Sequence, residues 1–187
     1  INGCDYSVPH PIRYRVDHQI EELEAAGLTV QKVNAWEMEK DILRHARTFI
    51  IFRCPLSDEV ESLIRQAKKL NKRVIYDIDD LVIDTAYTDS IPFVNAMTAH
   101  DKSCYDDGVR RMGETLKLCD CAITTTEGMA EELKKYVPRV YINRNVASES
   151  MIDYSNIAIY RRDVLPSLQS SSVLPEDRVP YKRAVER

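Results

Sequence analysis

From Arg73 to Asp84 the chain reads Arg-Val-Ile-Tyr-Asp-Ile-Asp-Asp-Leu-Val-Ile-Asp, and no other stretch constrains the fold as much. It opens as a short run of β-branched and aromatic residues, the pattern of a buried strand. Three carboxylates, Asp77, Asp79 and Asp80, then arrive within four positions. Unpaired buried charge is costly or forces neutralisation, so a strand interior cannot hold all three. They belong at the strand's carboxyl end, where an open α/β sheet places its binding crevice. A plainer role also fits each acid: capping backbone groups at the strand end, or pairing with Arg53 or Arg73.

Around this stretch, strand and helix patterns alternate. Pro9 and Pro11 keep the segment after Gly3 extended, and a helix is expected from near Ile12 to Gly27, with Ile12, Val16, Ile20 and Leu23 inward. Leu28 to Val33 alternates like a strand, and Trp36 to Ala46 suits a short helix burying Trp36, Ile42 and Leu43. Thr48 to Phe52 reads as a strand buried on both faces. Ser57 caps the next helix, acidic in its first turn and basic at its end. Residues 85 to 99 have loop character, and Asp101 to Leu118 is helical again. Cys121 to Thr124 is a strand, a helix capped by one of Thr124, Thr125 and Thr126 runs to Tyr136, and Val140 to Ile142 is the last strand. The alternation predicts an α/β fold, a Rossmann-like doubly wound parallel sheet with helices on both faces, over residues 1–150. Residues 151–187 are expected to form a linker or helical tail, with one more helix between Glu149 and Arg162 and a Ser/Pro-rich, charged stretch from Pro166 to Pro180.

Composition excludes several classes. Of the 187 residues 44% are apolar and 30% charged. Mean hydropathy is -0.37, and no apolar run nears the roughly 20 residues of a membrane span. A net charge of -4 gives no bulk attraction to nucleic acid. The five cysteines lack zinc-ligand spacing, so no metal site is expected, and buried thiols of a reducing cytoplasm are the simplest account. Ile1-Asn2-Gly3-Cys4 reads as the end of a strand running into a glycine turn, so the natural chain is expected to begin earlier.

The candidate ligand-contacting residues are those that the topology brings to the carboxyl edge. Gly3 follows the first strand, and Arg13 and Arg15 stand near the start of a helix whose amino end favours anions. Both arginines also have Asp17, Glu21 and Glu22 as ordinary partners on an exposed helix face. Asp79, Asp80, Thr126 and Glu127 follow parallel strands and reach the same edge. The basic residues from Arg65 to Arg73 suit a solvated helix end, or contact with an anionic membrane surface.

Two resemblances follow. Asp77-Ile-Asp79 after an apolar strand is similar to the nucleophile motif of haloacid dehalogenase-like phosphatases, which implies Asp77 as nucleophile, Asp79 as general acid and magnesium held by both. That family has Thr or Val where this chain has Leu81, and further acidic ligands on a late strand that are not found after Thr126.

The broader resemblance covers most of residues 1 to 150. Asn2-Gly3-Cys4, Tyr14-Arg15-Val16-Asp17-His18-Gln19 with Leu23, Phe52-Arg53-Cys54-Pro55, Val74 through Leu81, Asp120 through Thr126, and Ile142-Asn143-Arg144-Asn145-Val146 stand in the order found in the amino-terminal domain of GT-B glycosyltransferases related to the family-four retaining enzymes. The last segment resembles the hinge before their second domain, with Arg144-Asn145 where those enzymes carry a proline and an Asn-Gly pair. The resemblance implies the acceptor-side half of a nucleotide-sugar-dependent enzyme of polysaccharide or glycan synthesis. The donor nucleotide-sugar and the catalytic residues would belong to a carboxyl-terminal donor-binding domain, with no cofactor in this half. A sugar or lipid-linked acceptor, a cytoplasmic place near the inner face of the membrane and a peripheral membrane contact are implied too. The 187-residue chain alone is then expected to be inactive. A non-catalytic α/β binding or scaffolding domain is the alternative of another class.

Overall fold

The computed structural model describes residues 1–4, 9–39, 41–149 and 151–155. The chain divides into two units, Ile1–Val146 and Ala147–Arg187. The first is an α/β unit built on a four-stranded, all-parallel sheet in the order β1 (Thr48–Phe52), β2 (Arg73–Asp77), β3 (Cys121–Thr124), β4 (Val140–Ile142). The arrangement is compatible with a Rossmann-like fold. The register pairs Ile51 with Tyr76, Tyr76 with Ala122 and Ala122 with Val140, so the three apolar strands β1, β2 and β3 are neighbours.

Strand alternation then divides the side chains between two faces. Phe49, Ile51, Val74, Tyr76 and Ala122 share one core with Val60, Leu63, Ile64 and Ala67 of α4 (Asp58–Lys69), Leu116 of α7 (Ala99–Leu118) and Leu133 of α8 (Glu127–Leu133). Each of these three helices starts where a hydroxyl accepts a backbone N–H of its first turn: Ser57 from Val60, Thr98 from Asp101 and Thr126 from Met129. Of the three threonines open as the cap of α8, Thr126 is the one used.

Residues 1–3 add to the sheet through bridges. Asn2 pairs in parallel with Phe52 on one side and with Asn34 on the other. The chain therefore runs from the centre outward to Asn34, then returns past residues 1–3 to lay down β1, β2, β3 and β4 on the other side. The strand order reverses between Gly3 and Arg53. That reversal point is where an open parallel sheet leaves a crevice at its carboxyl edge.

Several local expectations need correction. Leu28 to Val33 forms no strand: only Asn34 is bridged, and Leu28 is exposed. Alternation alone does not make a strand where pairing is confined to one residue. Trp36 to Ala46 is not one helix but a 3-10 turn, Ala35–Glu37, and a separate turn, α3 (Ile42–His45). Trp36 is 56% exposed, while Ile42 and Leu43 rest against the core. The stretch from 85 to 99 is more regular than a loop, because Asp84 caps α5 (Thr85–Thr88) and Pro92 opens α6 (Pro92–Asn95).

The first helical segment begins at Pro9 with α1 (Pro9–Ile12), widens to a π-helical stretch at Arg13–Asp17 and continues as α2 (His18–Ala25). Its inward side is Ile12, Arg15, His18 and Gln19, whereas Val16, Ile20 and Leu23 are only half-buried. In the second unit residues 151–155 are helical, as expected after Glu149. The stretch from Pro166 to Pro180 and the remainder of that helix lie outside the described residues.

Candidate functional site

The carboxyl edge holds two arginine–aspartate assemblies. In the first, Asp77 ends β2 on the face opposite the main core and is fully buried. Arg15 grips it with two parallel bonds, Nε to Oδ1 at 3.0 Å and Nη2 to Oδ2 at 2.9 Å, and Gln19 Nε2 donates to Oδ2 at 2.6 Å. Arg15 Nη1 turns the other way, to the Asn143 carbonyl at 2.6 Å and Asn145 Oδ1 at 3.1 Å. His18 Nδ1 lies 3.0 Å from the Val146 carbonyl. Burial raises the Asp77 carboxyl above its ordinary range, and the Arg15 and Gln19 contacts offset only part of that. A π-helical turn often marks a functional position. Here it supports a guanidinium joining a helix, a strand end and the segment leaving β4.

In the second assembly Arg53 follows β1 with φ of 40°, a left-handed conformation that costs a non-glycine residue roughly 1–3 kcal/mol. Its N–H donates to the Asp77 carbonyl at 3.2 Å. The guanidinium lies between Asp79, at 2.7 Å from Nε, and Asp80, which Nη2 contacts. Burial works against the Arg53 charge, yet the two carboxylates outweigh it and raise the guanidinium above its ordinary value. Asp79 is 14% exposed and Asp80 63%.

Asp80 and Arg53 stand in a cleft of about 670 Å³ together with Gly3 and Cys4, the far wall being Leu81, Val82, Tyr87, Ile91, Tyr105 and Met112. Burial, followed by the Asp80 carboxylate, raises the Tyr105 phenol, so it keeps its proton and can donate. Tyr87 O–H donates to Glu132 at 2.5 Å, which fixes its ring on α5. The lining thus offers an exposed acceptor, a phenolic donor and apolar and aromatic surface. That combination suits a hydroxylated ligand with an apolar side. Among the described residues no group of three or more His, Cys, Asp or Glu side chains is placed to hold a metal ion.

Of the residues expected to contact ligand, Gly3 and Asp80 line this cleft and Asp79 stands behind it on Arg53. Gly3 also has a packing reason to be glycine: a Cβ there would come within 2.3 Å of Cys54 Cα. Arg13 is exposed, and Arg15 is consumed by Asp77 rather than by Asp17, Glu21 or Glu22. Asp17 instead pairs with Lys32 at 2.6 Å. Thr126 is a helix cap, and Glu127 pairs with Arg144 at the surface; neither lines the cleft. Sequence reasoning missed Tyr87 and Tyr105. Arg53 entered the sequence reading as a partner for the acids and within the Phe52–Pro55 segment of the resemblance, not as a ligand contact, although its place directly after a strand end marked it for the same edge.

No protein-family model, no curated protein and no solved structure matches this chain.

Proposed function

We propose that residues 1–146 are the acceptor-side domain of a nucleotide-sugar-dependent glycosyltransferase of GT-B architecture, a half that works with a donor-binding domain of a longer protein. The supporting observation is the cleft at the point where the strand order reverses, in which Asp80, Arg53 and Tyr105 meet beside Gly3. In it the Asp80 carboxylate accepts from acceptor hydroxyls, an interaction about twice as strong as one between neutral groups. The tyrosines and aliphatic side chains cover the less polar side of the sugar or its lipid carrier. Arg15 and His18 hold the segment 143–146, which the resemblance makes the hinge toward the second domain. On this reading the protein acts in polysaccharide or glycan synthesis in the cytoplasm, near the inner face of the membrane.

The enclosure of Asp77 weighs against the phosphatase alternative, since both of its oxygens are occupied and the carboxylate has no exposed surface. The test is sugar transfer. The chain alone should transfer none, because donor and acceptor must be held across two domains. Joined to a domain that binds a nucleotide-sugar, it should turn over, and Asp80→Asn should lower the rate about tenfold or more, the worth of a charged hydrogen bond. Transfer by the isolated chain, or phosphatase activity that vanishes in Asp77→Asn, would overturn the assignment. Acceptor binding without transfer in the joined protein would favour the binding-domain alternative.

A further inference from the structure

A second cleft, of about 590 Å³, opens at the amino edge of the sheet, the end away from Asp80. Its polar lining is Lys68, Asn71, Lys72, Arg73, Asp120 and Arg139, four cations against one carboxylate in a chain whose net charge is -4. The carboxylate is already engaged: Asp120 Oδ2 accepts the Val74 N–H at 2.8 Å, and Oδ1 lies 3.3 Å from Lys68 Nζ. Lys72 donates to the carbonyls of Leu43 and Ala46, which fixes its ammonium without neutralising it. Arg73 and Arg139 are exposed, and among the described residues neither has a carboxylate within ion-pair distance.

The sheet register explains why these two guanidinium groups converge. Ile75 pairs with Cys121, and Ala122 with Val140. Arg73 and Arg139 therefore leave β2 and the start of β4 on the face that carries Cys121, on either side of the strand between them. Arg139 is level with Ile75, two residues beyond Arg73, so two strand spacings and that offset put their backbones about 12 Å apart, a span that long guanidinium side chains can close on one anion. The Cys121 thiol, raised by burial, feels both of them as opposing positive charges. Guanidinium groups match tetrahedral phosphate oxygens with paired bonds, and a fixed ammonium adds a point charge.

We propose that the amino-edge cleft binds a phosphate group, with Arg73 and Arg139 as paired donors and Lys72 as the fixed cation. The site lies away from the acceptor cleft and does not rest on the sugar-transfer reading. A free phosphorylated molecule and a phospholipid headgroup present the same chemistry, and the experiment has an arm for each. Isothermal titration with inorganic pyrophosphate probes the first. Co-sedimentation with phosphatidylcholine vesicles containing a phosphatidylinositol phosphate, against phosphatidylcholine alone, probes the second.

Each is run on the native chain, on the double variant Arg73→Gln/Arg139→Gln, and on Lys134→Gln, whose side chain pairs with Glu131 outside the cleft. Both arginines are exposed, so the double variant should keep its thermal midpoint. Pyrophosphate binding weakened about tenfold or more in the double variant and unchanged in Lys134→Gln supports a site for free phosphate. Binding of the phosphoinositide vesicles alone, lost in the double variant, supports the site with a lipid source. Failure to bind either probe overturns the proposal, as does equal binding by the native chain and the double variant.

Discussion

Arg15 and Asp77 meet where neither side chain reaches water, at 1% and 0% exposure, whereas Arg53 joins Asp79 and Asp80 at the rim of an open cleft. Asp77 and Asp80 lie three residues apart at the end of one strand, and their partners are chemically the same. What differs is the surrounding medium. In the buried assembly both charges have been stripped of water, so each depends on the other and the pair is architecture. At the rim Asp80 stays hydrated and its tie to Arg53 is weak enough for a ligand to replace. One strand end thus supplies a fixed strut on its second face and an adaptable contact at its edge.

The contrast predicts a graded set of effects. Arg15→Met should be the most damaging substitution, costing about 3–5 kcal/mol in urea unfolding because it strands a buried carboxylate. Adding Asp77→Leu to it should recover part of the loss, since removing both charges is gentler than removing one. Were Arg15→Met nearly neutral, the strut would be no strut.

Gly3→Ala comes next. The new methyl meets the Cys54 backbone, which cannot step aside as a flexible side chain would. An overpacking cost of about 1–3 kcal/mol is expected, with the reversal point distorted.

Asp80→Asn should change stability by less than about 1 kcal/mol, because an ion pair this exposed is screened by solvent. On the proposed function its effect should fall on acceptor affinity. A large stability loss with unaltered binding would erase the distinction between the two assemblies.

The last effect is silent at neutral pH and lies in the core beneath both. Burial pushes the Cys54 thiol up to about 11 and Cys119 to about 12, against an ordinary 9.0. Above pH 9.0 the unfolded chain loses thiol protons that the native chain keeps, so stability should fall as pH rises toward 11. Cys119→Ala should flatten that slope, and native-state alkylation should reach exposed Cys104 before either buried thiol.

The sheet was legible because β1, β2 and β3 are short apolar runs closed by turn signals, and their length and composition leave little choice. The acids at the end of β2 were legible as a group for the same reason. Their division of labour was not, since the partner of Asp77 stands 62 positions earlier in sequence, on a helix whose inward face was read as apolar and whose Arg15 was read as outward. Helical periodicity ranked Val16 and Ile20 above Arg15 and Gln19; a buried carboxylate reversed that order. The aromatic wall was hidden differently. Tyr105 reads as one more apolar-face residue of α7, and Tyr87 as part of a loop, until Asp84 and Pro92 turn that loop into two short helices over the cleft.

On the proposed function an acceptor sugar sits in the carboxyl-edge cleft, and hydrogen exchange can detect it there. With a panel of oligosaccharides and lipid-linked sugars, an acceptor that binds should slow exchange at 53–54, 80–82 and the start of α7, with the same pattern weakened in Asp80→Asn. Slowing confined to other parts of the chain, or no slowing by any member of the panel, would contradict it.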